Sequence, residues 1–263
     1  MAIDKNSNGF TFGFAIIMVI VVGAALSFTA MKLKPLQKAN EADKKCMDIL
    51  GAIKVDATRA NAKELYEKYI TKSLVLNVDG EVIEGDAFNV DVRKEFRDKT
   101  LAASDRNYPL FVANVEGKEY MVIPMVGKGL WGAIWGFVGL EADYTTIFGA
   151  SFDHKTETPG LGAEIKTPFF EDQFVGKQIN YGGKLFEVTK GAGSSSTNYQ
   201  VDGITGGTIT SKGVEEMLIR TFGIYQNYFN ELKAAEAAKL QAEAEAAEQA
   251  ALATEEVEET VAN

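Results

Sequence analysis

Only one cysteine, Cys46, and one histidine, His154, occur among the 263 residues. A lone cysteine excludes an intramolecular disulfide framework and any multi-cysteine zinc or iron–sulfur site formed by this chain alone. A lone histidine argues in the same way against a histidine-rich metal centre. Cys46 lies four residues before Leu50 in a helical-looking segment, where a free cysteine reads as a packed thiol. It is too far beyond the apolar run to be a lipoprotein cleavage residue. No strand followed by Gly-x-Gly-x-x-Gly is present, and Lys212 lacks the glycine frame of a P-loop, so neither a dinucleotide fold nor a nucleotide-phosphate loop is indicated. No haem motif and no NADH site stand out.

Positive charge is also scarce. The formal net charge of -10 speaks against a nucleic-acid partner, but the excess is concentrated at one end. Residues Ala234 to Asn263 hold eight glutamates and one lysine, giving -7 and leaving -3 for everything before them. The folded body is thus only mildly acidic, and its charge says little about what it binds.

Charge is missing altogether from Asn6 through Met31, where Phe10 to Ala30 carries Phe12, Phe14, Ile16, Ile17, Val19, Ile20, Val21, Val22 and Leu26. Such a length matches a helix that crosses a bilayer. A cleaved signal peptide would offer a shorter apolar centre and a more basic start, so an uncleaved single-span anchor held by membrane lipid is expected. Lys32, Lys34 and Lys38 follow the span, and taken literally the positive-inside rule puts the large domain in the cytoplasm.

The expected divisions are a short leader at 1–9, a transmembrane helix at 10–31, a juxtamembrane helix or linker at 32–58, an α+β domain at 59–232 and an Ala/Glu-rich tail at 233–263, either helical or disordered. Asn40 reads as the cap of a short amphipathic helix carrying Met47, Ile49, Leu50 and Ile53, and a second helix is expected from Ala60 to Ile70. Leu74 to Val78 reads as a strand that turns at Asp79-Gly80 and returns through Val82-Ile83. Leu110 to Val115 and Tyr120 to Ile123 flank a glycine-containing turn and form a second hairpin. Ala133 to Leu140 and Tyr144 to Phe148 are further strands, Phe169, Phe170 and Phe174 begin a buried segment, and a turn falls near Tyr181-Gly182-Gly183. Leu185 to Val188 leads as a strand into a flexible linker at Gly191 to Ser196. Val214, Leu218, Phe222, Tyr225, Phe229 and Leu232 recur at three or four residues, the stripe of a core-packing helix. Regular alternation of strands with crossover helices is absent, so a mainly antiparallel α+β domain with flanking helices is preferred to parallel α/β.

Immediately before that stripe, Val201 to Val214 gathers small residues and hydroxyls, with Thr205, Thr208, Thr210 and Ser211 among Gly203, Gly206 and Gly207. Glycines allow a tight turn and close approach of a ligand. A helix starting near Ser211 or Lys212 would point its free amides and positive dipole end at the same place, which suits an anion such as a phosphate. On residues alone the stretch reads first as an ordinary turn with a helix cap.

Asp202-Gly203-Ile204-Thr205-Gly206-Gly207-Thr208 resembles the flavinylation motif of the FMN-binding domain family, whose last threonine carries FMN through a phosphoester bond. The usual form has alanine where Gly207 stands. His154-Lys155-Thr156-Glu157-Thr158-Pro159-Gly160-Leu161-Gly162 resembles a second signature of that family, found in the membrane-anchored C subunits of sodium-translocating NADH:quinone oxidoreductases and in the related G subunits of Rnf electron-transport complexes. Gly127-Lys128-Gly129-Leu130-Trp131 looks more like the quinone-reductase branch. The resemblance implies covalent FMN on Thr208 and a cofactor site formed by Lys128, Gly129, Leu130, Trp131, Glu157, Thr158, Leu161, Gly162, Thr205, Gly206, Gly207 and Thr210, with no metal. It implies that Asp202 helps a flavin transferase and its metal during attachment, that electrons pass to and from other subunits of a sodium-pumping NADH:quinone reductase, and that the large domain lies on the periplasmic face of the bacterial inner membrane. A protein of the Rnf type, or a non-redox anchored scaffold, is the alternative.

Overall fold

The computed structural model describes residues 7–190, 193 and 197–261; the linker expected at Gly191 to Ser196 lies, except for Gly193, outside the described residues. The chain begins with one 44-residue helix, α1 (Asn8–Gly51), capped by the Ser7 hydroxyl, which accepts from the Phe10 amide. The separate juxtamembrane helix expected from Asn40 does not exist, because α1 runs straight through Pro35. A helix-interior proline removes one backbone bond and crowds the preceding turn, and here the turns on both sides carry the helix across it. The most apolar 18-residue window of α1 is 0% buried against the rest of the protein. Phe12, Ile17, Val19 and Leu26 therefore have no protein surface to cover them, the condition of a single-pass membrane anchor.

The elements that follow are α2 (Ala62–Tyr69), β1 (Ile70–Leu76), β2 (Val82–Ile83), α3 (Val92–Arg97), β3 (Tyr108–Val115), β4 (Lys118–Lys128), β5 (Ala133–Leu140), β6 (Ile147–His154), α4 (Pro168–Glu171), β7 (Asn180–Tyr181), β8 (Lys184–Leu185), β9 (Glu187–Thr189), β10 (Gln200–Asp202) and α5 (Thr208–Val261). The first six strands form one sheet in the order β2-β1-β3-β4-β5-β6, and every pairing in it is antiparallel. This is the expected α+β class. The β3–β4 turn is only two residues long, Glu116 and Gly117, both at positive φ, the backbone that a tight hairpin turn demands.

Alternation along the central strands buries both faces of the sheet. Leu110, Val112, Met121 and Ile123 point to a core shared with Val214, Met217, Leu218, Phe222, Tyr225 and Phe229 of α5, so the striped helix covers one face as expected. Phe111, Ala113, Tyr120 and Val122 point to the other, where Ile49, Leu50 and Ile53 at the end of α1 pack. The Tyr225 hydroxyl donates to the Pro109 carbonyl at 2.7 Å, tying α5 across the sheet to β3. Cys46 is buried in the second layer, and burial raises its thiol to about 11, in keeping with a packing role.

The sixth strand begins later than expected. Tyr144 stands at φ 58 in a turn, its neighbours bonded back to the Asp143 carboxylate, so β6 starts at Ile147. Phe170 and Phe174 are fully buried with ring centroids 5.2 Å apart, but Phe169 is 79% exposed, since the single turn of α4 can turn only one of two adjacent side chains inward. The turn at Gly182-Gly183 joins β7 to β8 as expected, whereas the strand expected from Leu185 to Val188 is broken at Phe186, whose amide turns away to the Ile179 carbonyl. Helix α5 continues to Val261, with exposed side chains along residues 235–246.

The end of α1 is held against the sheet by two cross-strand glycines. Gly139 and Gly149 are paired in register, and a Cβ on either would stand well inside van der Waals contact of the Ala52 carbonyl oxygen. Replacing Gly139 by alanine should lower the unfolding free energy by about 1–3 kcal/mol through overpacking, read as a fall in the urea midpoint at constant slope; an unchanged midpoint would mean that the helix end is not seated there.

Nearby, the Glu171 carboxylate accepts the Phe152 amide at 2.5 Å. Burial pushes its carboxyl up to about 7, the Phe152 bond offsetting only part of that and Asp48 adding to it. The folded state therefore holds a proton there that the unfolded chain has already released, so stability falls as pH rises from about 4.3 through 7 and then levels. Glu171→Gln should remove this decline, so that urea unfolding at about pH 8 shows a gain over the parent that is absent at about pH 5; an equal effect at both values would contradict the buried-acid reading.

Candidate functional site

Three segments meet at one end of the sheet. The turn 129–132 joins β4 to β5 and is closed by the Gly129 amide donating to the Gly132 carbonyl at 2.8 Å. The segment after β6, residues 155–162, runs beside it, with the Lys155 amide bonded to the Ala133 carbonyl at 3.0 Å. The third is the start of α5, where Gly213 lies so close to the Lys128 carbonyl that a Cβ would collide with it.

A single carboxylate joins them. Glu157 is 5% exposed; its Oε1 accepts the backbone amides of Trp131 at 2.8 Å and Gly132 at 3.1 Å, and its Oε2 accepts the Thr210 hydroxyl at 2.6 Å. Burial works to raise this carboxyl, but the Thr210 hydroxyl and the amides of Trp131, Gly132 and Leu130 together outweigh it and hold it below the usual carboxylate range. Glycine makes the space. A Cβ on Gly129 would meet Glu157 Oε1 at 2.6 Å, and one on Gly162 would meet Glu157 Oε2 at 2.6 Å and the Thr210 hydroxyl at 2.5 Å.

Helix α5 begins at Thr208, three residues earlier than expected. Gly206 at φ +74 reverses the chain, the Gly207 amide closes a turn on the Ile204 carbonyl, and the first helical bond runs from the Ser211 amide to the Gly207 carbonyl at 2.9 Å. Thr210 and Ser211 are consequently buried inside the first turn, not part of an open loop. Thr210 donates to Glu157, and the Ser211 hydroxyl accepts the Ile204 amide at 3.0 Å. Thr208 is half-buried, Thr205 and Gly206 are exposed, and Gly207 is buried. The amides of Thr208, Ile209 and Thr210 precede the first helical bond and so lack intrahelical acceptors, which leaves a positive helix end at Thr208.

Of the residues anticipated from sequence, Leu130 (48% exposed), Trp131 (68%) and Leu161 (41%) carry apolar side chains that stay in solvent around this end, together with Ile209 (59%), which sequence reasoning missed. Leu161 lies over Gly206, where a Cβ would meet its Cδ2 at 2.6 Å. Lys128 is exposed at the end of β4. Thr158 is exposed, and its carbonyl accepts the Leu161 and Ala163 amides. Asp202 sits apart at the end of β10, half-buried, its carboxylate accepting the Gly193 amide at 3.0 Å and its own amide donating to Gln173. His154 opens the second motif and Ser211 lies in the glycine-rich stretch, but the sequence assigned neither of them a bonding partner.

The chain is similar to known proteins of one family. Residues 129–222 match the FMN-binding domain family. The crystal structure of the C subunit of the Na(+)-translocating NADH-quinone reductase from Parabacteroides distasonis is similar, with TM-score 0.68 and 43% identity over 75% of this chain and 96% of that one. The chain belongs to the NqrC family, the C subunits of Na(+)-translocating NADH-quinone reductases. Within that family, the Shewanella oneidensis NqrC structure is similar at TM-score 0.66 and 28% identity, covering 74% of this chain and 99% of its own. The C subunit of Neisseria meningitidis is 30% identical over 88% of this chain and 97% of its own. The NqrC fold thus places three separated sequence motifs at one end of a single sheet.

Because Glu157 is held below its ordinary value, it contributes stability that is present above the usual carboxylate range and lost as pH falls below that range through its folded value. Glu157→Gln should cost about 1–3 kcal/mol near neutrality, since an amide nitrogen cannot accept what the carboxylate oxygen accepts. The variant should also lose less stability than the parent between neutral and acid conditions in urea titrations. A parent and variant with parallel acid profiles would contradict this.

Proposed function

We propose that Thr208 carries FMN through a phosphoester bond, and that the chain is the flavin-carrying relay of a sodium-pumping NADH:quinone reductase. The observation that bears this reading is that half-buried Thr208 stands at the free amino end of α5, at the end of the sheet where Leu130, Trp131, Leu161 and Ile209 are exposed. Unpaired helix-terminal amides suit a phosphate, and the exposed apolar side chains suit a planar ring lying beside it. The residues present therefore fit the cofactor that the family binds.

Bound FMN supplies reversible redox chemistry at its ring, which a link through the phosphate leaves chemically free. The chain's own residues perform the remaining tasks. Thr208 would give the oxygen that bonds to the FMN phosphorus, the donor's pyrophosphate bond breaking so that its other half leaves as a nucleoside monophosphate that takes up the hydroxyl proton. Exposed Gly206 and small Gly207 keep the approach open to a flavin transferase, and Asp202 helps that enzyme and its metal at the donor. Lys128 adds positive charge at the end of β4, and Thr205 adds a hydroxyl on the solvent side. Glu157, both of whose oxygens accept hydrogen bonds from the protein, holds the frame beside the flavin.

The chain is one non-catalytic member of a larger complex, so electrons enter and leave through partner subunits. We place residues 10–31 of α1 in lipid and the large domain on the periplasmic side. This follows the family resemblance against the weak bias of Lys32, Lys34 and Lys38. Thr208→Ala should leave the domain folded and abolish covalent flavin, so that the denatured full-length polypeptide from cells able to attach flavins loses the mass of one FMN less one water. Thr208→Ala protein that keeps the adduct would show that another residue carries it.

A further inference from the structure

His154, the only histidine in the chain, ends β6 opposite Ile134. Its Nδ1 accepts the backbone amide of Glu157 at 3.2 Å. An imidazole nitrogen that accepts carries no proton, so this bond fixes the neutral ring with its proton on Nε2. Nε2 is buried and finds no partner among the described residues. A ring present only to fill space would not need to bury a donor without an acceptor. The feature that accounts for imidazole here is the acceptor on its other side.

We propose that His154 is the positioning residue of the flavin loop, acting through Glu157. The bond to the Glu157 amide closes the turn 154–157 and sets the direction from which that side chain enters the glycine cage. From there the carboxylate collects the amides of Trp131 and Gly132 and the hydroxyl of Thr210, two residues beyond Thr208. An error in the placement of Glu157 is passed at once to the β4–β5 turn and to the first turn of α5, the two segments that flank the attachment position. Among the described residues, the His154 side chain has its hydrogen bond to the Glu157 amide and none to either segment. The assignment of Thr208 as the attachment residue rests on the function proposed above, but the hydrogen-bond relay itself is independent of whether flavin is bound.

Two substitutions separate an acceptor from bulk. Asparagine can place its carbonyl oxygen where Nδ1 stands, whereas glutamine reaches toward the Nε2 position and leaves the Glu157 amide unpaired. Full-length protein in detergent, labelled with nitrogen-15 in its single histidine, should show an unprotonated Nδ1 and a protonated Nε2. Deuterium exchange should rise about tenfold in the 129–132 amides of His154→Gln, as expected for loss of one supporting hydrogen bond, and less than about threefold in His154→Asn. The fraction of chains carrying covalent FMN should fall in His154→Gln and be restored in His154→Asn. A protonated Nδ1, equal loosening in both variants, or no loosening in either would overturn the proposal. Parent protein without any FMN adduct, but with the exchange pattern intact, would instead reject the flavin assignment and leave the relay standing.

Discussion

A carboxylate removed from water must have its charge met, and at Glu157 it is met by two backbone amides and one hydroxyl drawn from segments far apart in sequence. Burial alone would favour the neutral acid; hydrogen bonds to the charged form win here. The bonding forces the β4–β5 turn, the segment after β6 and the first turn of α5 into one frame. It also explains the glycines, because at Gly129 and Gly162 any side chain would occupy the space of the carboxylate oxygens. The same demand orients α5 so that Thr208 is left at its open end, with its neighbours Thr210 and Ser211 used up inside.

The anchor reaches this frame through the sheet. Helix α1 leaves its apolar span, continues through Pro35 and ends with Ala52 pressed on the Gly139–Gly149 pair. Its last turns supply one of the two cores, and α5 supplies the other. The six strands between them are central in both senses, and Met217 of α5 packs directly on Gly127 of β4. The candidate site is therefore carried on a sheet that is itself fastened to the apolar helix α1, a base that suits the relay proposed above.

Much of this was legible in the residues. The apolar run, the β3–β4 hairpin and the stripe on α5 each follow from one periodicity meeting one environment, and each stands where that reasoning puts it. The continuity of α1 was not legible, because Pro35 and Asn40 carry local signals to stop that the surrounding helix overrides. The start of β6 was obscured by Tyr144, whose left-handed backbone is set by the Asp143 turn and not by its own preference. At the site, the glycine-rich loop and the motif beginning at His154 were both visible, but not that Glu157 binds them to Trp131 and Gly132. That link is made only when β5 and β6 pair, and no local pattern encodes it.

The central claim is that the frame exists to present Thr208 for flavin attachment. Its most direct test is proteolysis of the native protein, without any substitution, followed by fragment-ion sequencing of the peptide that spans residues 197–212. The flavin phosphate mass should begin at Thr208 in the fragment series from both ends. Its appearance on Thr205 or Thr210, or its absence from the peptide, would contradict the account.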